Sequence, residues 1–370
     1  MTKVCHMTSV HAPEDVRIFH KECVSLAKAG YEVYLVEQGE TYEKNGVHII
    51  GVGQPSGGRL NRMTEFSKKV YEAALAVNAD IYHFHDPELL PYGLKLKKKG
   101  KKVIFDSHEL YALQLQHKPY LPEFITKVIA KLYVPYERFI VKRIDGVVFP
   151  CLVRGKNPFA GKCGHLAIIN NVPLLREFEE IGERPSNTGF SACYVGGLRS
   201  DRGIMQDVLA CNQAEITLRL GGLPSSLEFQ QQLECADEKH LVEFCGQLDR
   251  AQVSALLQHS YVGLVTELNV GQNNQLDNLP TKTYEYMAAG LPVIISKSEY
   301  VDALIKKYLF GISVDPENVD EIAGAIRYLL DHPDEARQMG ENGRRAVKEE
   351  FNWGVEEKKL LALYEDILKE

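Results

Sequence analysis

Short apolar runs alternate with amphipathic helical patterns along the whole chain, and this alternation is the strongest constraint on its fold. In the first half, the apolar runs Val4–Val10, Val33–Val36 and Ile81–His85 are separated by helical patterns such as Phe19–Ala29, which Gly30 closes. Alternating strands and helices are typical of βαβ units and therefore of a parallel sheet covered by helices. The sequence predicts a doubly wound α/β domain, with further strands at Val47–Ile50, Val103–Asp106 and Gly146–Phe149.

The second half of the chain repeats this pattern after a polar, turn-rich segment. That segment, Gly182–Gly189, reads GERPSNTG, a composition that marks a domain junction. For 370 residues two domains are the normal expectation, and we place them at residues 1–172 and 173–352. A helix is predicted at Arg202–Asn212, and the predicted strands are Ser191–Val195, Ile216–Leu220, Leu241–Phe244, Val262–Val265, Val293–Ile295 and Ile312–Val314.

One helix-to-strand segment of the second half, residues 277–296, has a well-marked beginning and end. It reads DNLPTKTYEYMAAGLPVIIS, and we predict that Asn278 caps the helix and that Gly290 follows its last turn. Lys282 and Glu285 are three residues apart and therefore share one face of this helix. Asp277 lies just before the positive N-terminal end. The segment therefore predicts a site for a phosphate and a ribose.

A glycine turn in the same predicted domain offers a second phosphate site. Strand Ser191–Val195 runs into Gly196 and Gly197, which allow a ligand to approach the backbone closely. Arg199 and Arg202 follow at the start of the next helix, where their charges suit a pyrophosphate. Two phosphate-compatible helix starts in one domain indicate a nucleotide diphosphate.

Histidines and acids follow three strands of the first predicted domain. The segments are HAPEDVR with Asp15 and Arg17, HFHDPE with His85, and DSHEL with His108 and Glu109. Because ligands bind at the carboxyl ends of parallel strands, these side chains are expected at one rim. We take these five residues as functional candidates, with His108 as the strongest because the three strand ends converge on this rim.

The stretch Tyr120–Lys142 combines basic side chains with Phe, Ile, Leu and Tyr. A basic amphipathic helix can lie on an anionic membrane surface or accept a lipid-bearing substrate. The alternative is a helix pair that packs on the sheet, is interrupted at Pro135 and extends its lysines into water. The sequence leaves both interpretations open.

Composition narrows the class of protein. The net charge of -7 argues against a general nucleic-acid binder. The 8 cysteines are scattered without the spacing of a metal site, which favours reduced structural thiols. No apolar run approaches the roughly 18 residues of a membrane span, and the N-terminus lacks a secretory pattern. We expect a cytoplasmic protein, with a peripheral contact to the inner face of the cell membrane as an open alternative.

Four motifs carry a resemblance to a known family. They are PTKTYEYMAAGLPVI at 280–294, YVGGLRSDRGI at 194–204, HFHDPE with DSHEL at 83–88 and 106–110, and the closing pattern NGRRAVKEEFNWGVEEKKLLALYEDIL. Together they span most of the chain, which resembles the GT-B glycosyltransferases of family 4, retaining enzymes that use nucleotide sugars. The resemblance implies two Rossmann-like domains facing a cleft and a C-terminal helix, residues 353–370, that crosses back onto the N-terminal domain.

The resemblance also implies roles for individual residues. Glu285 corresponds to the residue that binds the ribose of the donor, Arg202 to a basic residue on the diphosphate, and His108 to a histidine near the donor sugar. Asp277 stands where the family usually has the first acid of an E-x7-E pair, and with His108 it is expected to orient the sugar in catalysis. The resemblance makes the other candidates at the rim of the first domain, Asp15, Arg17, His85 and Glu109, acceptor-side candidates.

One departure from the family concerns the glycine turn. Gly197 stands where the family usually has a basic residue, which leaves Arg199 or Lys282 to supply that charge.

The resemblance implies a reaction class. A retaining enzyme of this type moves a sugar from a nucleotide-diphosphate donor, UDP-sugar rather than GDP-sugar, to a saccharide or polyprenyl-linked acceptor in capsule, exopolysaccharide or other cell-surface glycan synthesis. No cofactor and no metal are expected, since basic side chains and a helix dipole can stabilise the leaving diphosphate. Two alternatives stay open: a nucleotide-sugar 2-epimerase on the same fold, and a non-catalytic nucleotide-sugar-binding module.

Overall fold

The computed structural model describes residues 1–111, 123–178, 189–270, 273 and 275–369. The chain divides into two compact units: unit 1 comprises Met1–Asn171 and Gly354–Glu370, and unit 2 comprises Val172–Trp353. Residues 182–188 of the predicted junction and residues 120–122 of the basic stretch lie outside the described residues.

Unit 1 is built on an eight-stranded sheet with the order β3-β4-β2-β1-β5-β6-β7-β8. All neighbouring strands are parallel except β3, which runs antiparallel to β4. The predicted doubly wound domain is confirmed, whereas β3 and β8 were not predicted because neither forms a buried apolar run. The strands are β1 Lys3–Met7, β2 Glu32–Glu37, β3 Tyr42–Lys44, β4 Val47–Gly51, β5 Ile81–Phe84, β6 Lys102–Asp106, β7 Gly146–Phe149 and β8 His165–Ile168.

The helix after β1 begins earlier than predicted. Asp15 caps it, since its Oδ1 accepts hydrogen bonds from the backbone N–H of Arg17 at 2.9 Å and of Ile18 at 3.0 Å. A π-helical segment, Val16–Cys23, therefore precedes α1 and turns the Arg17 side chain into the core. The other helices here are α1 Val24–Lys28, the short helix Arg59–Asn61 leading into the π-helical segment Arg62–Phe66, α2 Ser67–Val77, the 3-10 turn Pro87–Leu89 and α3 Leu90–Lys98.

Helix α4, Glu123–Val141, contains the described part of the basic stretch. It is a single helix that includes Pro135, so the alternative of a helix pair interrupted at this residue is wrong. Because Pro135 is exposed, solvent can bond the carbonyl group that the missing N–H leaves unpaired. Phe124, Leu132 and Phe139 lie exposed on this helix, so much of its apolar surface is not used for packing within the described residues.

Unit 2 contains a second sheet, entirely parallel, with the order β11-β10-β9-β12-β13-β14. Buried apolar side chains from β9, β10 and β12 pack against the helices on one face, as in Tyr194, Leu218 and Leu264. The second predicted doubly wound domain is therefore confirmed. Its strands are β9 Ser191–Val195, β10 Thr217–Gly221, β11 Val242–Gly246, β12 Val262–Val265, β13 Val293–Ser296 and β14 Gly311–Val314.

Two helices of unit 2 begin later than predicted. Arg202 ends a 3-10 turn, and the helix starts at Ile204 because Gly203 has a left-handed φ of 74°. Asn278 does not cap its helix, which starts at Thr281 after Pro280, since the residue before a proline is disfavoured in helical conformation. The helices are α5 Ile204–Ala214, α6 Leu227–Ala236, α7 Arg250–Gln258, α8 Thr281–Ala288, α9 Glu299–Tyr308, α10 Val319–Asp331 and α11 Pro333–Glu349.

The last helix, α12 Trp353–Lys369, lies in unit 1 from Gly354 onwards. Its side chains Leu360, Tyr364 and Ile367 are fully buried. Gly146 in β7 leaves room for this helix, because a Cβ there would lie 2.9 Å from Ile367 Cδ1. The end of the chain therefore completes the core of the unit that the start of the chain begins.

Candidate functional site

The polar cluster of unit 1 lies where β1 and β5 end side by side. The connections from β1 lead towards β2, whereas β5 and its followers extend the sheet the other way, so this is the topological switch point. Asp86, just after β5, accepts hydrogen bonds from Thr8 Oγ1 at 2.9 Å and from the backbone N–H of Ser9 at 2.6 Å. These bonds tie the loop after β1 to the loop after β5.

Asp106, at the end of β6, is the buried anion of this cluster. Arg17 forms a two-point ion pair with it, with Nε 2.9 Å from Oδ2 and Nη2 3.2 Å from Oδ1. Burial alone would raise the pKa of Asp106, but the charge of Arg17 and the hydrogen bonds from His108 and His85 hold it well below its usual range. Asp106 is therefore an ionised acceptor for the groups around it.

His108 bonds to this anion. Its Nε2 lies 3.1 Å from Asp106 Oδ2 and 3.2 Å from His85 Nδ1. The His108 side chain is 14% exposed, whereas Arg17 and His85 are buried. The structure therefore brings these sequence-predicted residues together, but His108 reaches the surface and the other two lie behind it. As candidates for direct acceptor contact, Arg17 and His85 are corrected to supporting residues, because the capped helix and β5 turn them inward.

His11 and Asp15 form a neighbouring pair in the loop after β1. His11 Nδ1 lies 3.2 Å from Asp15 Oδ2, and the His11 ring lies 4.8 Å from the ring of His108. Burial lowers the pKa of His11, but the hydrogen bond to Asp15 and the charge of Asp86 outweigh it and raise this pKa above its ordinary value. Burial would raise the pKa of Asp15, yet the bond to His11 holds it lower. Asp15 is thus engaged in capping and pairing.

His108 opens onto a cavity of about 840 Å³ within unit 1. Glu109 lines it as well, so two of the predicted residues share this cavity. Its polar lining includes His11, Asp86 and Glu88, and its apolar lining consists largely of side chains from α4 and the loops. The aromatic members are Tyr111, Tyr133 and Tyr136. A large cavity with an apolar wall and a few convergent polar groups is typical of a ligand site.

The polar cluster of unit 2 also lies at a switch point, between β9 and β12. The predicted glycine turn follows β9, and Gly196 has a φ of 146°. A Cβ on Gly222 would lie 1.9 Å from the carbonyl oxygen of Gly196, so the two turns touch backbone to backbone. A Cβ on Gly196 itself would lie 3.6 Å from Lys282 Cε, which places Lys282 beside the turn.

Glu267 joins two of the predicted cations. This carboxylate follows β12, is 4% exposed, and accepts hydrogen bonds from Arg202 Nη1 and, at 2.9 Å, from Lys282 Nζ. Lys282 also lies over the ring of Tyr194, 5.1 Å from its centroid. Arg202, Lys282 and the Gly196 turn are therefore assembled by an acid that sequence reasoning did not single out. A Glu directly after a buried strand was the available signal.

Glu285 lies one turn further along α8. Its carboxylate accepts a hydrogen bond from Arg250 Nη1 at 2.9 Å, and the same guanidinium donates to Glu177 at 2.8 Å. Arg250 was not predicted either. Arg199 is half exposed and bonds to Asp201 through Nε at 2.8 Å rather than to the Glu267 group.

Two predicted residues of unit 2 contribute less to this cluster. Asp277 is half-buried, four residues before α8, and its role in catalysis stays a prediction. Gly197 continues the turn and accepts a hydrogen bond from Tyr194 Oη at 3.3 Å.

Two doubly wound parallel sheets, each with a polar cluster at its switch point, define the GT-B class of fold. A family model described as Glycosyl transferases group 1 matches residues 176–346, and one described as Glycosyltransferase Family 4 matches residues 17–152. The chain belongs to the GT-B glycosyltransferases described by these two models, and it is a sugar-transferring enzyme.

Relatives by sequence include other glycosyltransferases. An uncharacterized glycosyltransferase of Methanocaldococcus jannaschii is 22% identical over 290 residues, which are 74% of this chain and 70% of that protein. An MMP alpha-(1->4)-mannosyltransferase of Mycolicibacterium hassiacum is 31% identical over 119 residues, 32% of this chain and 27% of that one.

Solved structures share the fold over the full length. Sucrose-phosphate synthase from Thermosynechococcus elongatus superimposes with a TM-score of 0.80 at 18% identity, covering 100% of both chains. Anabaena HepE, in complex with UDP and glucose, superimposes with a TM-score of 0.72 at 14% identity, covering 99% of this chain and 100% of that one. Among the described residues of the present chain, no helix is long and apolar enough to span a membrane.

Proposed function

We propose that this glycosyltransferase is a retaining enzyme that moves a sugar from a UDP-sugar to a lipid-linked or saccharide acceptor in cell-surface glycan synthesis. The observation that carries the donor part is the group formed by Arg202, Lys282 and Glu267 beside the Gly196 turn. UDP is chosen because a structural neighbour, Anabaena HepE, is described in complex with UDP and glucose.

The charge balance of this group suits a diphosphate. Arg202 and Lys282 share the single carboxylate of Glu267, so one positive charge remains. It lies beside the Gly196 turn, whose backbone a ligand can approach closely because glycine has no side chain. Breaking the bond between the sugar and the diphosphate leaves negative charge on the phosphate oxygens, and fixed cations stabilise that charge as it develops. In this proposal Arg202 and Lys282 do this without a metal, and Glu267 holds them in place beforehand.

Glu285 is proposed to bind the ribose of the donor. Its carboxylate has one hydrogen bond to Arg250, and each carboxylate oxygen can accept more than one. Ribose hydroxyls can therefore bond to Glu285 while Arg250 keeps it oriented. Because Lys282 and Glu285 are on the same helix, one rigid element spaces the phosphate site from the ribose site.

The cavity at His108 is proposed to take the acceptor. Its polar end, with His108 and Glu109, can bond hydroxyl groups of a sugar, whereas Tyr111, Tyr133 and Tyr136 provide apolar and stacking surface. A lipid-linked saccharide combines both properties. His108, with Asp277, is proposed to orient the transferred sugar.

Helix α4 gives a reason to expect the lipid. Phe124, Leu132 and Phe139 are 70%, 67% and 50% exposed and lie along one side of the helix, at spacings of eight and seven residues. Lys127, Lys131 and Arg138 form an exposed basic stripe beside them. An apolar stripe next to a basic one is the pattern of a helix that lies in the interface of an anionic membrane.

Vesicle flotation tests this contact. The chain should float with phosphatidylglycerol vesicles and stay at the bottom with phosphatidylcholine vesicles. Reversing the charges of Lys127, Lys131 and Arg138 should abolish flotation, whereas reversing exposed lysines elsewhere (Lys68, Lys69 and Lys306) should not. Equal flotation of both variants would remove the membrane from the proposal.

A donor screen followed by a transfer assay tests the reaction. Thermal unfolding with a panel of nucleotide sugars identifies the donor, because a ligand that binds the native state raises the melting temperature. With that donor and a lipid-linked acceptor, Glu285→Ala should lose transfer while Glu341→Ala, an exposed residue of α11, should not. Free 2-epimerised nucleotide sugar without acceptor would instead support an epimerase. Donor binding without turnover would support a non-catalytic module.

A further inference from the structure

Three histidines lie buried behind His108 in unit 1. His6 is in β1, His83 is in β5 and His85 directly follows β5, and all three have no exposed surface. The side chain of Tyr364, from α12, is buried with them. The proposed function does not use these four residues, although burying a polar side chain costs free energy unless hydrogen bonds compensate.

The four side chains form a continuous chain of hydrogen bonds that ends at Asp106. Tyr364 Oη lies 2.8 Å from His83 Nδ1 and 3.1 Å from His6 Nε2. His6 Nδ1 lies 3.0 Å from His85 Nε2, and His85 Nδ1 lies 3.4 Å from Asp106 Oδ2. The same carboxylate oxygen is 3.1 Å from His108 Nε2.

Each of the three buried imidazoles is neutral. Burial lowers the pKa of His6 and of His83 well below the ordinary value, and it lowers that of His85 to about 4. A neutral imidazole has one N–H donor and one acceptor nitrogen, so fixing one nitrogen fixes the other. The chain of bonds therefore has a direction.

Asp106 sets that direction because an ionised carboxylate can only accept. His108 therefore donates from Nε2 to Asp106. His85 Nδ1 lies 3.2 Å from His108 Nε2 and 3.4 Å from Asp106 Oδ2, and we assign it a proton that it donates to the carboxylate, because a lone pair there would face the negative oxygen. His85 Nε2 is then the acceptor for His6 Nδ1–H, and His6 Nε2 is the acceptor for the Tyr364 hydroxyl.

The last member agrees with this assignment. Because the Tyr364 hydroxyl donates its hydrogen bond to His6, Tyr364 Oη accepts one from His83 Nδ1–H. His83 Nε2 then carries a lone pair and no proton. That nitrogen has no hydrogen-bond partner among the described residues. The reverse assignment would leave a buried N–H unpaired at this position, and unpaired buried N–H groups are rarer than unpaired acceptors.

We infer that Tyr364 and the three buried histidines are positioning residues that help Asp106 hold His108 as the Nε2–H tautomer, which leaves Nδ1 of His108 as a hydrogen-bond acceptor for a hydroxyl group of the substrate. His108 lines the cavity proposed for the acceptor, so the use of this nitrogen rests on the proposed function. The tautomers themselves do not depend on it.

A bound metal ion is the competing use of the same atoms. His6, Glu22, His83 and His85 offer ligand atoms that all lie within 4.8 Å of one another. The nitrogens His6 Nδ1 and His85 Nε2 are, however, at hydrogen-bond distance from each other, and His83 Nδ1 is bonded to Tyr364. A metal would need lone pairs on His6 Nδ1 and His83 Nδ1, which carry protons in the hydrogen-bonded chain, so the two interpretations predict different nitrogen spectra.

Nitrogen NMR of the full chain labelled with ¹⁵N-histidine tests the tautomers without any assay of transfer. Signals are assigned by single His→Gln variants. We expect Nδ1–H for His6, His83 and His85, and Nε2–H for His108. An Nε2–H signal for His85 or an Nδ1–H signal for His108 would overturn the inference. Stoichiometric zinc in protein purified without chelator would overturn it in favour of a metal site.

Tyr364→Phe tests whether the chain of hydrogen bonds from Tyr364 to Asp106 affects the reaction. It removes one hydroxyl and keeps the ring, and Ile367→Val, on the same helix and equally buried, controls for packing. We expect mixed tautomers at His6 and His83, a roughly tenfold lower kcat and an unchanged KM for the donor in Tyr364→Phe alone. Unchanged kcat with altered tautomers would overturn the positioning role. If the wild type transferred no sugar at all, the proposed function would fail, and the NMR spectra would still test the tautomers assigned to the four histidines.

Discussion

Asp207 should make unit 2 less stable as the pH rises. This carboxyl group, in the first turn of α5, is completely buried, and its Oδ1 accepts a hydrogen bond from Thr266 Oγ1 at 2.6 Å. Its Oδ2 has no hydrogen-bond partner among the described residues. Burial raises the pKa of Asp207 to about 7 against the hydrogen bond to Thr266 and the charge of Lys282, which act in the other direction.

The size of the effect follows from this pKa. An acid whose pKa is raised by folding binds its proton more tightly in the folded state, so the free energy of unfolding falls as the pH rises from the ordinary value of 3.8 to about 7. Because each pKa unit corresponds to 1.36 kcal/mol, the loss amounts to about 4 kcal/mol. Below pH 4 the carboxyl group is protonated in both states and does not lower the free energy of unfolding. Above pH 7 it is ionised in both states, and the loss of stability no longer changes with pH.

Asp207→Asn should remove this pH dependence, because an amide has the shape of the protonated acid and cannot ionise. The variant should match the wild type near pH 4 and exceed it by up to about 4 kcal/mol at pH 8. Urea unfolding followed by circular dichroism measures this difference, and hydrogen exchange of the α5 amides reports on unit 2. Glu341→Gln, at an exposed site of α11, is the matched control. The reasoning fails if wild type and Asp207→Asn lose the same stability between pH 4 and pH 8.

Two further predictions concern the polar cluster of unit 2. Arg202→Ala should weaken UDP binding roughly tenfold to hundredfold by calorimetry, because it removes a charge-assisted contact, while Glu267 keeps its bond to Lys282 and the fold survives. Arg199→Ala should do less, since Arg199 already pairs with Asp201, and equal affinities of wild type and Arg202→Ala would refute the assignment. Gly203→Ala should cost unit 2 about 3 kcal/mol in urea unfolding, because φ is 74° and the new Cβ would lie 2.0 Å from the carbonyl oxygen of Thr266. Unchanged stability of Gly203→Ala would show that the turn adjusts.

The sheets could be predicted because buried parallel strands are continuous apolar runs. Strand β9 was predicted with its observed bounds. The glycine after the last turn of α8 was predicted as well, and Gly290 has the left-handed φ of 74° that this position favours. Helix starts were less predictable. Because Gly203 is left-handed and Pro280 is extended, the helices that follow them begin a few residues later than predicted. Local sequence marks that a helix exists more firmly than it marks its first residue.

The site was only partly predictable because its ion pairs join distant parts of the chain. Arg17 looked like a residue of the rim, but a cap by Asp15 turns it towards Asp106, 89 residues away. Glu267 gave little signal by itself, and its importance comes from the two cations that reach it. Such partners depend on which strand ends become neighbours, and this cannot be inferred from the local patterns of a single sequence.

The position of α12 has a consequence for how the protein is made. Unit 1 begins with β1 but lacks Leu360, Tyr364 and Ile367 from its core until α12 has been synthesised. Unit 2, Val172–Trp353, is continuous and can fold on the ribosome before that point. The buried histidines of unit 1 therefore obtain the hydroxyl group of Tyr364 only after all of unit 2 has been synthesised. A chain released before α12 would contain a complete unit 2 and an incomplete unit 1.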